Sequence, residues 1–171
     1  MPVPTTDIDP RYGEPDATPT PWETTEQRLA DAEVYWLSTV RPDGRPHVTS
    51  LISVWRGGAA HVCAGPHERK ARNLAENPHV VLTTGTPDLH GGLDVVVEGR
   101  VERVTDTDEL KALAAAWEEK YGVEWHFDVL DGGFEGGGGL AYVYRIEPTT
   151  AFAFGKAPYS QTRYRFAEVG R

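Results

Sequence analysis

Apolar and polar residues alternate with period two along much of the chain, and three stretches shift to the helical period. The cleanest alternation is LDVVVEGRVERV, Leu93 to Val104. Leu93, Val95, Val97 and Val101 face one side, while Asp94, Glu98, Arg100 and Glu102 face water. Gly99 falls inside this run, where a long strand bends or bulges to close a barrel. VYWLSTV, 34–40, is β-branched and aromatic and predicts a buried strand. Pro42, Asp43 and Gly44 suit a tight hairpin turn, and HVTSLISVW, 47–55, is the return strand. Gly57-Gly58 turns the chain into a third strand, 59–64, and HVVLTT, 79–84, is a fourth. Residues 142–146 and 150–154 predict the last two strands.

The helical stretches carry their own signals. Thr20-Pro21-Trp22-Glu23 has the form of a capping box, so a helix is expected from there to about Ala32. GPHERKARNLAENP, 65–78, reads as a short helix entered through Pro66 and stopped before Pro78. Asp106 and Glu109 cap a third, with Leu110, Leu113, Ala114, Trp117 and Tyr121 on one face and Gly122 at its end. Strands joined mostly by hairpins exclude a βαβ sheet. The expected fold is mainly β, an antiparallel barrel of six to seven strands with about three peripheral helices. The expected organisation is an extended arm over 1–19, a barrel over 20–155 and a tail over 156–171. The Pro-rich arm reads as disordered or lying along a partner, and DGGFEGGGG, 131–139, as a flexible loop.

Charge narrows the function. With 17 basic against 26 acidic residues and a net charge of −9, no basic face for nucleic acid or an anionic membrane is expected. No apolar run approaches a membrane span, and the first residues lack the pattern of a signal peptide. The single Cys63 points to a reducing cytoplasm as the default compartment.

Against that acidic background, Arg69 and Lys70 fall in the first turn of a helix, where cations are mildly unfavourable. One reading is an anion site, in which free backbone N–H groups and both cations hold a phosphate. The other is a solvated face: Glu68, Arg72 and Glu76 have salt-bridge spacing, although that ladder leaves Arg69 and Lys70 unexplained. Cys63, directly before this helix, reads as a buried small hydrophobe rather than a reactive thiol. The six histidines lack zinc-site spacing, and His47, His61 and His79 read as structural imidazoles at strands. FGKAPYSQTRYRF, 154–166, mixes Lys156, Arg163 and Arg165 with aromatic residues. That mix suits a flat anionic ligand, or a chain end tied down over a neighbouring subunit.

VYWLSTVRPDGRPHVTSL, then GPHERKARNLAENPHVVLTTG, then GLDVVVEGRVERV resembles the pyridoxamine 5'-phosphate oxidase-like superfamily. These are the flavin and deazaflavin oxidoreductases with the FMN-binding split β-barrel fold. The similarity runs from about Glu33 to Phe154, and SQTRYRF is similar to an actinobacterial branch. The resemblance implies a homodimer with two cofactor sites at the subunit interface. It places the cofactor phosphate on Arg69 and Lys70. It lays the ring and ribityl chain along Val48, Thr49, Ser50 and Leu51, with Cys63, Ala64 and Gly65 at the strand end. Lys156 and Arg163 are further candidates, for the anionic tail of the deazaflavin F420, which the resemblance favours over FMN. The Trp-Gly-Gly-Tyr and Arg-Leu-His motifs of pyridoxamine 5'-phosphate oxidase itself are missing. The expected activity is therefore hydride transfer between F420 or FMN and a small electron-poor organic substrate. The alternatives are an FMN-dependent oxidase and a non-catalytic flavin- or haem-binding protein. Tyr159, Tyr164 and His47 are the candidates for proton delivery.

Overall fold

The two longest strands pair antiparallel along most of their length and carry the barrel: β7 (Leu93–Val104) and β10 (Gly139–Lys156). Their register breaks between Pro148 and Thr150, opposite Gly99. A Cβ on Gly99 would lie 2.6 Å from the Glu147 carbonyl oxygen and 2.8 Å from Ile146 Cγ2. Glycine is thus required there by close approach of the backbones, and the bulge lets both strands bend around the core.

The computed structural model describes residues 3–130 and 132–167; Asp131 in the Gly-rich segment and tail residues 168–171 lie outside the described residues. The elements are β1 (Thr5–Ile8), α1 (Trp22–Asp31), β2 (Tyr35–Val40), β3 (Pro46–Leu51), β4 (Val54–Arg56), β5 (Ala59–Ala64) and α2 (Arg69–Glu76). After these come β6 (His79–Thr84), β7, α3 (Thr107–Tyr121), β8 (Asp128–Leu130), β9 (Gly133–Gly136), β10 and β11 (Tyr159–Arg165). The sheet runs β1-β11-β10-β7-β6-β2-β3, and the first half of β10 also pairs with β5, which pairs with β4. β3 and β4 are consecutive but take different neighbours, so the barrel is split beside the open edge of β3.

The pattern therefore predicted the architecture and undercounted the strands: eleven among the described residues instead of six to seven. The expected arm holds β1, paired with β11 from Thr5 opposite Arg165 to Ile8 opposite Thr162. The expected tail forms β11, a hairpin back onto β10. Within the Gly-rich segment, β9 pairs with β8 and β10. Residues 47–55 divide into β3 and β4, whereas 142–146 and 150–154 fuse in one strand. The capping box does not form. Pro21 occupies the N-cap without a side-chain bond, and Thr20 instead donates its N–H to Thr162 Oγ1 (2.9 Å).

Inward-facing residues fill one core: Tyr35 and Leu37, Val62, Val80 and Leu82, Val95 and Val97, Ile146, Ala151 and Ala153. Trp22 and Leu29 of α1 join this core from one side, and Ala71 and Leu74 of α2 from another. Tyr164 packs edge-on against Trp22 at 5.0 Å and donates its hydroxyl to the Thr20 carbonyl at 2.7 Å. A second core lies under α3, where Leu110, Leu113, Ala114 and Trp117 meet Val54, Phe134 and Val143. The expected face of this helix is the buried one, and Tyr121 fastens its end by a 2.9 Å bond to the Ser53 carbonyl.

Most of β5 is buried between these cores, and His61 on it is 1% exposed. Neither ring nitrogen makes a hydrogen bond of good geometry, although the backbones of Val54 and Ala59 approach the ring. Burial pushes its pKa down to about 4, with the Arg145 guanidinium adding to the effect.

Two predictions follow from this packing. Gly99→Ala should cost about 1–3 kcal/mol through overpacking. Its melting temperature should fall by roughly 2–4 °C per kcal/mol at this chain size. Neutral His61 should make the fold acid-sensitive. The unfolded chain takes up the proton first, so the stability held above pH 6.5 drains as pH falls towards about 4. By pH 5 the loss should reach about 2 kcal/mol, measured as a shift in urea midpoint, and His61→Leu should flatten that dependence.

Candidate functional site

The last residues of β5 lead through a turn, 65–68, to the start of α2. Glu68 donates its N–H to the Gly65 carbonyl (3.0 Å) and occupies the N-cap. Its side chain does not cap the helix, so the first-turn N–H groups have no partner within it. The carboxylate turns back instead. It accepts the Gly65 N–H at 2.6 Å and an ion-paired hydrogen bond from Lys70 Nζ. The expected Glu68–Arg72–Glu76 ladder is therefore not built through Glu68, because the carboxylate is drawn to an ammonium that has lost most of its water. Lys70 is 9% exposed, whereas Arg69 is exposed.

The Gly65 N–H and the Lys70 ammonium thus form a cradle that holds an anion of the chain itself, the Glu68 carboxylate. Burial acts to raise the Glu68 pKa, but the bonds from Lys70 and the Gly65 N–H outweigh it and leave it lowered. The residues present fit a cofactor phosphate: one backbone N–H, one buried ammonium, one exposed guanidinium and a helix start.

Beside the cradle lie α2, β2 and β3. Asn73 is fully buried and donates Nδ2 to Thr39 Oγ1 (2.9 Å), while its Oδ1 has no partner. Thr39 Oγ1 lies 3.4 Å from His47 Nδ1. Desolvation lowers the His47 pKa, and Arg41, Arg69 and Lys70 add to the shift, so the imidazole shares the electrostatic environment of the cradle. The four β3 candidates divide by the period of a strand. Thr49 and Leu51 pair with Leu37 and Tyr35 and face inward, whereas Val48 and Ser50 face outward. Thr49 Oγ1 is buried without a partner.

Cys63, Ala64, Gly65 and Lys70 are thus brought together where β5 meets α2. Burial pushes the Cys63 thiol up to about 11 despite the nearby Lys70 ammonium, so it is unreactive at neutral pH. Lys156 and Arg163 do not reach the cradle within one chain. Lys156 Nζ pairs with Asp94 (2.9 Å) and donates to the carbonyls of Thr86 (2.6 Å) and Asp88 (2.8 Å). Arg163 and Arg165 both pair with Asp7 on β1. The β1–β11 pairing brings that carboxylate to them from the far end of the sequence. Of the proton-delivery candidates, Tyr164 is fully buried with its hydroxyl engaged by Thr20 and Thr25, and Tyr159 is exposed. Glu68 was hidden by its apparent place in a helical ladder; its signal is an acid directly ahead of two cations at a helix start. Asn73 and Thr39 carry no local signal, since they meet only when α2 folds against β2.

Residues 21–152 match the family model described as pyridoxamine 5'-phosphate oxidase. A pyridoxine/pyridoxamine 5'-phosphate oxidase of Pseudomonas entomophila is 37% identical over 82 residues, which are 47% of this chain and 37% of that enzyme. The match thus spans well under half of the curated relative. Among solved structures, a heme-binding protein from Mycobacterium smegmatis superposes with TM-score 0.65 and 21% identity, over 85% of this chain and 58% of that one. A structure described as an F420 reductase gives TM-score 0.53 and 22% identity, over 73% and 94%. At such identities the superpositions speak for a shared fold, while the family model covers most of the barrel and the cradle with it. The chain belongs to the pyridoxamine 5'-phosphate oxidase family.

Proposed function

We propose that this protein is a flavin-type oxidoreductase that uses F420 in preference to FMN. It would transfer a hydride between that cofactor and a small electron-poor organic molecule. One observation carries the reading: the Gly65 N–H and the buried Lys70 ammonium, filled by a stand-in carboxylate beside the open edge of β3. The cofactor would supply the hydride chemistry, and the chain would hold it. Lys70, Arg69 and the first-turn N–H groups of α2 would bind the phosphate, β3 would border the ring, and His47 is the proton donor nearest the cradle's cations. The matched oxidase and the structure named for F420 support a redox role.

The proposed assembly is a homodimer. On the outer face of the sheet, register aligns Val48 on β3 with Ser38 on β2, Trp36 with Thr83, Thr83 with Val96, and Val96 with Phe152. Trp36 and Val48 are 45% and 55% exposed, and Phe152 stacks on Phe154 at 6.3 Å. Val48, Trp36, Val96 and Phe152, interrupted by Ser38 and Thr83, spread apolar surface across five strands, which supports a contact surface there. Arg163 pairs with Phe152 at the end of this stripe. A second copy packed on the stripe would bring Arg163 and Lys156 towards the partner's β3, completing the site from two chains.

Three measurements test this reading. Titration of the cofactor-free protein, followed by tryptophan quenching, should show saturable binding of F420 at least tenfold tighter than FMN. Arg69→Ala with Lys70→Ala should weaken the cofactor by about two to four decades, at roughly 1.5–3 kcal/mol for each charge-assisted bond. Lys70→Ala alone should also lower the cofactor-free melting temperature, because Glu68 loses its buried partner, whereas Arg69→Ala should leave it unchanged or slightly higher. Unchanged affinity in the double variant would remove the phosphate assignment. Light scattering should give about twice the chain mass of 18.8 kDa. Trp36→Glu should shift it towards a single chain by placing a charge inside the stripe.

A further inference from the structure

We infer that Glu68 selects the charge of the cofactor's phosphate, favouring a phosphodiester with one negative charge over a terminal phosphomonoester. The inference rests on the cofactor reading above and concerns which phosphate that site accepts.

The cradle is not a cluster of spare cations. Lys70 is buried and already carries a full counter-charge, because Glu68 bonds its ammonium and the Gly65 N–H with the same carboxylate. The turn holds that carboxylate in place: its Oε1 lies 3.4 Å from where a Cβ on Gly65 would stand. Arg69 is exposed and makes no ion pair among the described residues. At bonding range the three side chains therefore sum to one positive charge.

A phosphodiester carries one negative charge at all physiological pH values. A phosphomonoester, with a second pKa of about 6, carries roughly 1.5 to 2 at pH 7. A diester can share the Lys70 ammonium, which has three N–H donors, and take Arg69 and the free first-turn N–H groups while Glu68 keeps its two bonds, and the site is then neutral. A monoester brings a further negative charge beside a carboxylate whose buried partner, Lys70, is already neutralised. Alternatively it drives Glu68 into solvent, and the carboxylate loses both its bonds. Either route penalises the additional charge and leaves the diester nearly untouched. The orphaned first-turn N–H groups do not discriminate, since both ligands present oxygens to them. Discrimination falls to the acid, and neutralising it should remove the preference.

The test compares ligands that share one ring system: FMN, its phosphate monomethyl ester and riboflavin, with F420 alongside. Affinities for the wild type, Glu68→Gln and Glu68→Ser are measured at pH 7.5 without turnover. The expected result is a gain of about tenfold or more for FMN in both variants. The methyl ester and F420 should change by less than about threefold, and riboflavin not at all. Comparing variant with wild type isolates Glu68 from the cations of the region, Arg41, Arg69 and Lys70. If FMN and its methyl ester move together, or neither moves in a protein that binds them, the selectivity does not reside in Glu68; the inference falls and the cofactor reading stands. If none of the four ligands binds wild type or variants, the cofactor reading falls and this inference with it.

Discussion

Everything in this molecule hangs on the bend shared by β7 and β10 at Gly99. The backbone of Glu147 passes so close that no side chain fits, and the register slips at the same level. Below the slip β10 pairs with β5, and above it with β11, while β7 accompanies it on both sides. A straight pair would leave β5 and β11 on one flat sheet with a single continuous face. Bent, the pair wraps its Val and Ala positions inward, gives Trp22 and Leu74 a core to close, and leaves the open edge at β3. The cradle stands where β5 leaves that wrapped sheet for α2.

How far the sequence shows this depends on the range of the interactions. The long alternation from Leu93 to Val104, the face of α3 and the need for Gly99 are local patterns, and each has its expected place in the structure. The strands that pattern alone does not reveal are those whose partners lie far away. Thr5–Ile8 has no hydrophobic period of its own and is a strand because β11 offers it an edge. The Gly-rich segment reads as loop by composition, yet Gly133 is held with its Cα against the Ala141 carbonyl, 2.6 Å from where a Cβ would lie. There the glycines serve close strand approach as well as freedom. The capping box failed for a related reason: a tertiary bond from Thr20 to β11 outweighs a local cap.

The site divides in the same way. The basic pair at a helix start, in a chain of net charge −9, is anomalous on sequence alone, and that anomaly located the cradle. The role of Glu68 was not legible. Glu68 sits four positions before Arg72, which is the helical spacing, but it is the N-cap and not part of the ladder. Once Lys70 is buried, its demand for a counter-charge exceeds what an exposed i, i+4 pair offers. Lys156 and Arg163 show the converse. Their basic and aromatic setting suggested a ligand, and within one chain the fold pairs them with Asp94 and Asp7, acids distant in sequence.

The opposition between Lys70 and Glu68 also explains how a cation can be kept in an unfavourable position before any ligand arrives. A buried ammonium without a partner would cost several kcal/mol, more than the fold could carry lightly. An acid that took up all three of the ammonium's N–H donors would leave nothing for the proposed phosphate to meet. Glu68 meets both conditions. It comes from the N-cap, outside the helix ladder, so its side chain can hold Lys70 without forming part of the regular structure. Its carboxylate is about half exposed while the Lys70 side chain is mostly buried, so the two partners are held unequally. The buried cation is fixed by the fold and its acid by a turn of four residues. Adjustment to a ligand's charge therefore falls on Glu68 and the turn, while Lys70, α2 and the bent pair behind them keep their places.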